Sequence, residues 1–168
     1  MINAEKFKKI TTSFSSIKPI LVIGDIGIDK YTKGHVKRIS PEAPVPVVTY
    51  IEEKETRGGA GLVYENLKNL GVDVDMFETD GQVSVKTRII CDGHYVTRID
   101  DDAQANGTEV LKQVQETNFS QYDYVVLSDY NKGVLDEARE IIKIISNQIQ
   151  SIKGIFLIID FNSHLTKQ

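Results

Sequence analysis

Asp25 and Asp29 stand four residues apart, just behind the apolar run 20–23 (ILVI) and Gly24. Branched side chains in an unbroken row describe a strand covered on both faces, as in a parallel sheet. In open α/β sheets, ligands collect outside the carboxyl ends of such strands. Carboxylates placed there can accept hydrogen bonds from a polyhydroxyl ligand or meet a cationic one. A Gly-Asp pair can equally be a plain strand-ending turn. Two further apolar runs, 122–127 and 155–159, also lead into acidic residues, Asp129 and Asp160. Three acidic strand ends on one sheet edge point to a ligand site.

A second chemical feature is the stretch 57–61, Arg-Gly-Gly-Ala-Gly. Ala60, Val63, Leu67 and Leu70 behind it fall on one helical stripe, so the glycines open a helix. Such a start offers free backbone N–H groups to an anion and lets a ligand approach the main chain closely. Glycines there also serve tight packing of helix on sheet. Cys91 and His94 flank the Asp92-Gly93 dipeptide, the preferred two-residue hairpin turn, so 84–100 reads as a β-hairpin. In that register Cys91 faces His94, Ile89 faces Val96 and Thr87 faces Arg98. His94 reads as a solvated turn residue and Cys91 as a small apolar filler. No second cysteine or spaced histidine makes a metal site.

The elements that must hold these residues alternate in type. Phe7, Ile10, Phe14 and Ile17 form the stripe of an amphipathic helix that Pro19 ends. A polar, glycine-marked stretch covers 30–40, and three prolines stiffen 41–46. A strand then begins at Val45 and runs out into the charged residues 52–55. Gly71 is the expected helix cap, and 72–77 alternates as a strand should. Asn106 or Thr108 caps a helix with Val110, Leu111 and Val114 inward. Val134, Leu135, Ala138, Ile141, Ile142, Ile145 and Ile149 line a longer one. Alternating strands and helices imply an α/β fold with a parallel sheet.

Composition narrows the function. The chain has 168 residues and a formal net charge of −4, enough for one domain with a real core. No basic stripe or aromatic platform appears, which weighs against nucleic acid as a partner. The amino end lacks the apolar segment of a signal peptide, and no apolar run approaches a membrane span. A single cysteine fits a reducing compartment. The expectation is a soluble cytoplasmic protein with no membrane partner.

Specific motifs add a resemblance. ILVIGDIGIDKYTKG followed by RISPEAPVPVV resembles the amino-terminal signature of heptose-phosphate kinases in the ribokinase-like (PfkB) carbohydrate kinase family. RGGAG with ENLKNLG is similar to that family's glycine-rich helix start, and SDYNKG (128–133) to its serine-aspartate-tyrosine-x-lysine-glycine motif. The resemblance covers nearly the whole chain. It implies one ribokinase-like domain over 1–168, with a β-sheet lid built from about 31–53 and 84–100. It further implies that Asp25 accepts hydrogen bonds from sugar hydroxyls and that Gly58 and Gly59 let the sugar approach. Asp29, Asn66, Arg98 and Lys132 are further candidates for the sugar or its phosphate. A homodimer clasped through the lid strands is implied as well.

Departures from the family pattern matter too. Leu62 stands where the family has an asparagine, and Asp160-Phe161-Asn162 replaces aspartate-proline-lysine. Six residues (78–83) join two segments that the family separates by a loop, helix and strand. The glycine-alanine-glycine-aspartate anion hole, the catalytic base and the nucleotide pocket belong to the family's second half, which these 168 residues do not contain. The expectation is therefore a domain truncated to the amino-terminal half, with no catalytic residue, metal or cofactor of its own. ATP and magnesium are implied for the complete family fold only. Two readings stay open: the sugar-phosphate-binding part of a heptose 7-phosphate-like kinase, completed by another chain, or a non-catalytic dimerisation module descended from one.

Overall fold

The computed structural model describes residues 3–14, 16–77, 83–148 and 152–159. Two four-stranded sheets carry the architecture. The first is parallel and consists of β1 (Ile20–Gly24), β4 (Val74–Met76), β7 (Tyr124–Asp129) and β8 (Gly154–Ile159), in the order β4-β1-β7-β8. Successive side chains of a strand point to opposite faces, so β1 feeds two cores. Leu21 and Ile23 join Val125 and Leu127 on one face, beneath α3 (Gly107–Glu116) and α4 (Ala138–Asn147). Ile20 and Val22 join Val126 and Val74 on the other, beneath Ala60 of α2 (Ala60–Asn69). The fold is the mixed α/β arrangement expected, with helices on a parallel sheet.

The second sheet is the lid. It contains β2 (Ile26–Ile39), β3 (Pro46–Gly59), β5 (Ser84–Cys91) and β6 (His94–Asp101), in the order β3-β2-β5-β6. Residues 30–39, polar and within the lid that the resemblance implies, lie in strand β2, which starts earlier, at Ile26; β3 does not stop at 52–55 but runs on to Gly59. The reason is pairing: Lys30 reaches Glu53 and Glu55 at 3.2 and 2.9 Å, and Lys33 reaches Glu52 at 2.8 Å. Residues with little strand preference of their own are held by opposite charges across the ladder.

The β5–β6 hairpin turns at Asp92-Gly93 as expected, both with positive φ, and Cys91 faces His94. Beyond that pair a bulge at Ile89/Ile90 shifts the register. Ile89 faces Thr97 and Thr87 faces Ile99, so the expected pairs with Val96 and Arg98 are not made. One extra residue in one strand is enough to move every later partner.

Smaller corrections concern helices. α1 spans Ala4–Phe14, and Ile17 lies past its end, packed on the second core. α4 begins at Ala138; Val134 and Leu135 are buried in the turn before it, and Ile142 is exposed. Leu70 lies at the exposed end of α2 rather than on its buried stripe. Asn106 caps α3 as expected, its side chain accepting from the Thr108 N–H at 3.1 Å. Ile149, Asp160, Phe161, Asn162 and most of the 78–83 link lie outside the described residues. No helix among the described residues is long and apolar enough to cross a membrane.

Candidate functional site

The two sheets meet at Asp25, the single residue between β1 and β2. Close approach fixes this junction. A Cβ on Gly24 would lie 2.1 Å from the carbonyl oxygen of Ser128, so only glycine lets β1 and β7 end side by side. The Asp25 N–H donates to that same oxygen at 3.0 Å, and the Asp25 carbonyl accepts from the Ala60 N–H at 2.8 Å. Gly59 has φ +58°, and a Cβ there would meet the Asp25 oxygen at 2.2 Å. The glycine pair thus brings the start of α2 against the end of β1, as much a packing device as an opening for ligand.

The Asp25 carboxylate is buried, 2% exposed, and both its oxygens are taken. Oδ2 accepts from the Tyr130 and Lys132 N–H groups at 2.7 and 3.1 Å, and Oδ1 from the Val134 N–H at 3.0 Å. Burial pushes its pKa up; the three N–H donors work against that, and Asp129 nearby adds to the rise. Asp29, on β2, has a different setting. Its carboxylate is partly exposed, pairs with the Arg88 guanidinium of β5, and has the bare backbone of Gly58 alongside. Arg88 also lies 5.3 Å from the centre of the Tyr31 ring, and the Asp29 bond pushes its pKa further up.

These groups line a cleft of about 230 Å³ between the carboxyl edge of the parallel sheet and the lid. Asp25, Asp29, Gly58, Gly59 and Lys132 are brought together there, with Lys86, Arg88 and Tyr130. Leu62, which stands where the family has an asparagine, also lines the cleft and is exposed. Lys132 forms an ion pair with Asp102 at 2.6 Å, which holds the Asp102 carboxyl below its usual range. Asn66 and Arg98 are not among the lining residues. Asn66 is exposed on α2, and Arg98 stands opposite Arg88 on β6, bonded to Asp100 at 2.8 Å. Among the described residues no group of three His, Cys, Asp or Glu side chains could hold a metal ion.

Lys86, Arg88 and Tyr130 escaped the sequence reading. Alternation already put Ser84, Lys86 and Arg88 on one face of a strand. What the pattern lacked was the parallel pairing of β5 with β2, which sets Lys86 beside Asp29 and Arg88 beside Tyr31.

Fold and cleft together define a ribokinase-like carbohydrate kinase architecture. Escherichia coli phosphofructokinase-2 in complex with potassium superposes with a TM-score of 0.52 at 14% identity, over 88% of this chain and 55% of that one. No family model matches the chain. Among curated proteins, the bifunctional protein HldE of Aliarcobacter butzleri is 37% identical over 153 residues, 71% of this chain and 32% of its own length. The D-beta-D-heptose 7-phosphate kinase of Bordetella bronchiseptica is 31% identical over 152 residues, 73% of this chain and 49% of its own. The chain belongs to the PfkB carbohydrate kinase family and is similar to its heptose 7-phosphate kinases. It spans from about a third to half of the length of these relatives.

Proposed function

We propose that this chain is the sugar-phosphate-binding part of a heptose 7-phosphate-like carbohydrate kinase. The observation that carries the reading is the cleft: one partly exposed carboxylate, Asp29, faces a space that Lys86, Arg88 and Lys132 also line. An acceptor carboxylate suits sugar hydroxyls, and a guanidinium with two ammonium groups suits a phosphate. The similarity to a D-beta-D-heptose 7-phosphate kinase suggests the sugar, a heptose 7-phosphate.

In the complete family fold ATP would supply the phosphoryl group and magnesium would offset the charge of its phosphates. Among the described residues no cluster could hold the metal ion, and the cations of this cleft are given in this reading to the sugar's own phosphate. No step through the nucleotide is therefore assigned to these residues. The 168-residue chain by itself binds the sugar phosphate without transferring phosphate. Calorimetry with heptose 7-phosphate tests this, with binding by the unmutated chain and its loss in Asp29→Ala as the expected result. Absence of binding by the unmutated chain would end the sugar-site reading. Phosphorylation at roughly 1–100 per second, the ordinary kinase range, would overturn the division of labour.

Two partners belong to the proposal. Phe156, Leu157 and Ile158 of β8 are 56%, 52% and 39% exposed, consecutive positions and hence both faces of an outer strand. That exposure supports a polypeptide that continues the sheet at β8, and it favours the kinase-part reading over the stand-alone module. Tyr95 and Ile99 of β6, 67% and 56% exposed, support a homodimer joined through the lid. A reducing cytoplasm fits the free thiol of Cys91.

A further inference from the structure

The loop from Asp129 to Val134 has an unusual winding. Asn131 and Gly133 both have positive φ, 57° and 103°. Left-handed residues at alternate positions curl a chain so that its N–H groups converge, the geometry of a backbone nest for an anion. Here the N–H groups of Tyr130, Lys132 and Val134 converge on one carboxylate, that of Asp25. The intervening N–H of Asn131 goes instead to Asp129 at 2.8 Å. Gly133 cannot carry a side chain, because a Cβ would lie 2.4 Å from the Ala105 oxygen. Lys132 is fixed on its other side too, its carbonyl accepting from the Ala105 N–H at 2.7 Å.

From this we infer that Asp25 is a positioning residue, the built-in anion of a backbone nest that sets Tyr130 and Lys132 at the rim of the cleft, and that it does not itself contact the sugar. The inference rests on the sugar-phosphate reading for the use of the rim, while the nest is a property of the chain alone. It separates two acids that look alike in sequence. Asp29, with one oxygen beside bare glycine backbone, is left as the acceptor for the ligand. Asp25 acts at one remove, through the main chain that carries Lys132.

Amide hydrogen exchange and calorimetry on the same variants test it. Asp25→Ala should speed exchange at Tyr130, Lys132 and Val134 by roughly ten- to hundredfold, the scale of losing charge-assisted hydrogen bonds, while β1 and β7 keep their protection. Affinity for heptose 7-phosphate should fall by about tenfold or more over the same scale. Formate, which fits the vacated carboxylate space, should restore both the protection and the affinity. Asp29→Ala should abolish binding and leave the three amides as protected as before. Asp25→Asn keeps the volume but replaces an acceptor by a donor. It should lose protection at one or more of the three amides and ignore formate, and it carries the test if Asp25→Ala does not fold. Unchanged exchange at all three amides in Asp25→Asn, or lost affinity in Asp25→Ala with full protection of those amides, would overturn the inference. If the unmutated chain binds no heptose 7-phosphate, the functional reading fails, and the exchange arm with formate still decides whether Asp25 is the anion of the nest.

Discussion

The two sheets share a chain and little else. In the parallel sheet Leu21, Val22, Ile23, Val125 and Leu127 are fully buried, sealed on both faces by helices and loops. In the lid, β6 has only Val96 partly shielded, and β3 is exposed from Tyr50 to Arg57. Burying one such aliphatic side chain contributes on the order of 1.5–3 kcal/mol. Exposed ion pairs such as Lys33–Glu52 contribute far less, because water screens them. One sheet is therefore held by the removal of apolar surface from water. The other is held by its hydrogen-bond ladder, by charge pairs and by whatever covers it. Stability resides in the first, and the proposed function places recognition in the second.

The largest expected effect tests that division directly. Leu127→Ala should lower stability by about 2–5 kcal/mol in urea unfolding, whereas Ile51→Ala, exposed on β3 of the lid, should stay within about 0.5 kcal/mol. Equal losses would erase the distinction. Next comes binding: Arg88→Ala should weaken heptose 7-phosphate by about 1.5–3 kcal/mol in calorimetry without moving the unfolding midpoint. A lid substitution that lowers stability as much as affinity would show that the lid is part of the folding core.

Assembly sharpens the comparison from the lid side. Ile90 stands opposite Tyr95, and Ile89 opposite Thr97 on the other face. Ile90→Lys or Ile89→Lys, according to which face is clasped, should convert a dimer to monomer in light scattering. A monomer at micromolar concentration before mutation, or a dimer indifferent to both changes, would remove the lid interface.

The smallest effect is one of pH. At the foot of the parallel sheet Asp123 accepts from Lys153 at 2.7 Å and from the Lys18 N–H at 3.0 Å, and the Lys153 bond above all holds its carboxyl below the usual aspartate range. A depressed folded pKa means that this contribution is present above the ordinary value and is lost as pH falls through the folded one. Asp123→Asn should therefore flatten the loss of stability below about pH 4. Asp92 at the lid hairpin and Asp102 just past the end of β6 are also held low, chiefly by His35 and Lys132. Their side chains are half or more exposed, so half-molar salt should suppress their share of the acid limb and spare that of Asp123.

The same contrast explains what the sequence disclosed. The parallel strands were legible because a doubly buried strand must be apolar without interruption, as in the run 20–23. The Asn106 cap and the Asp92-Gly93 turn were legible because each rests on local chemistry. The lid strands were harder. Lys30, Lys33 and the glutamates of β3 carry no strand signal until they face one another, and that pairing spans about twenty residues of chain. The bulge at Ile89/Ile90 has no signature in composition. Arg88 was missed for the same reason, since its meaning depends on β2 lying beside β5. For Asp25 the resemblance implies a sugar contact, and the sequence does not disclose that the Tyr130, Lys132 and Val134 N–H groups bond its carboxylate.

One feature of the junction has a mechanical meaning. β2 enters the lid at Ile26 and β3 leaves it at Gly59, and these two residues are partners in the ladder, tied to the core through the Ala60–Asp25 bond. Both struts therefore pass through a single fulcrum. β2 is 14 residues long, so at about 3.4 Å per residue its far end stands some 44 Å from that point, with Asp29 only about 10 Å out. Any rotation of the lid about the fulcrum moves its tip roughly four times as far as it moves Asp29. A partner gripping the tip would hold the long arm of a lever whose short arm lies in the cleft, and a modest grip there would steady the Asp29 carboxylate to a fraction of the same displacement.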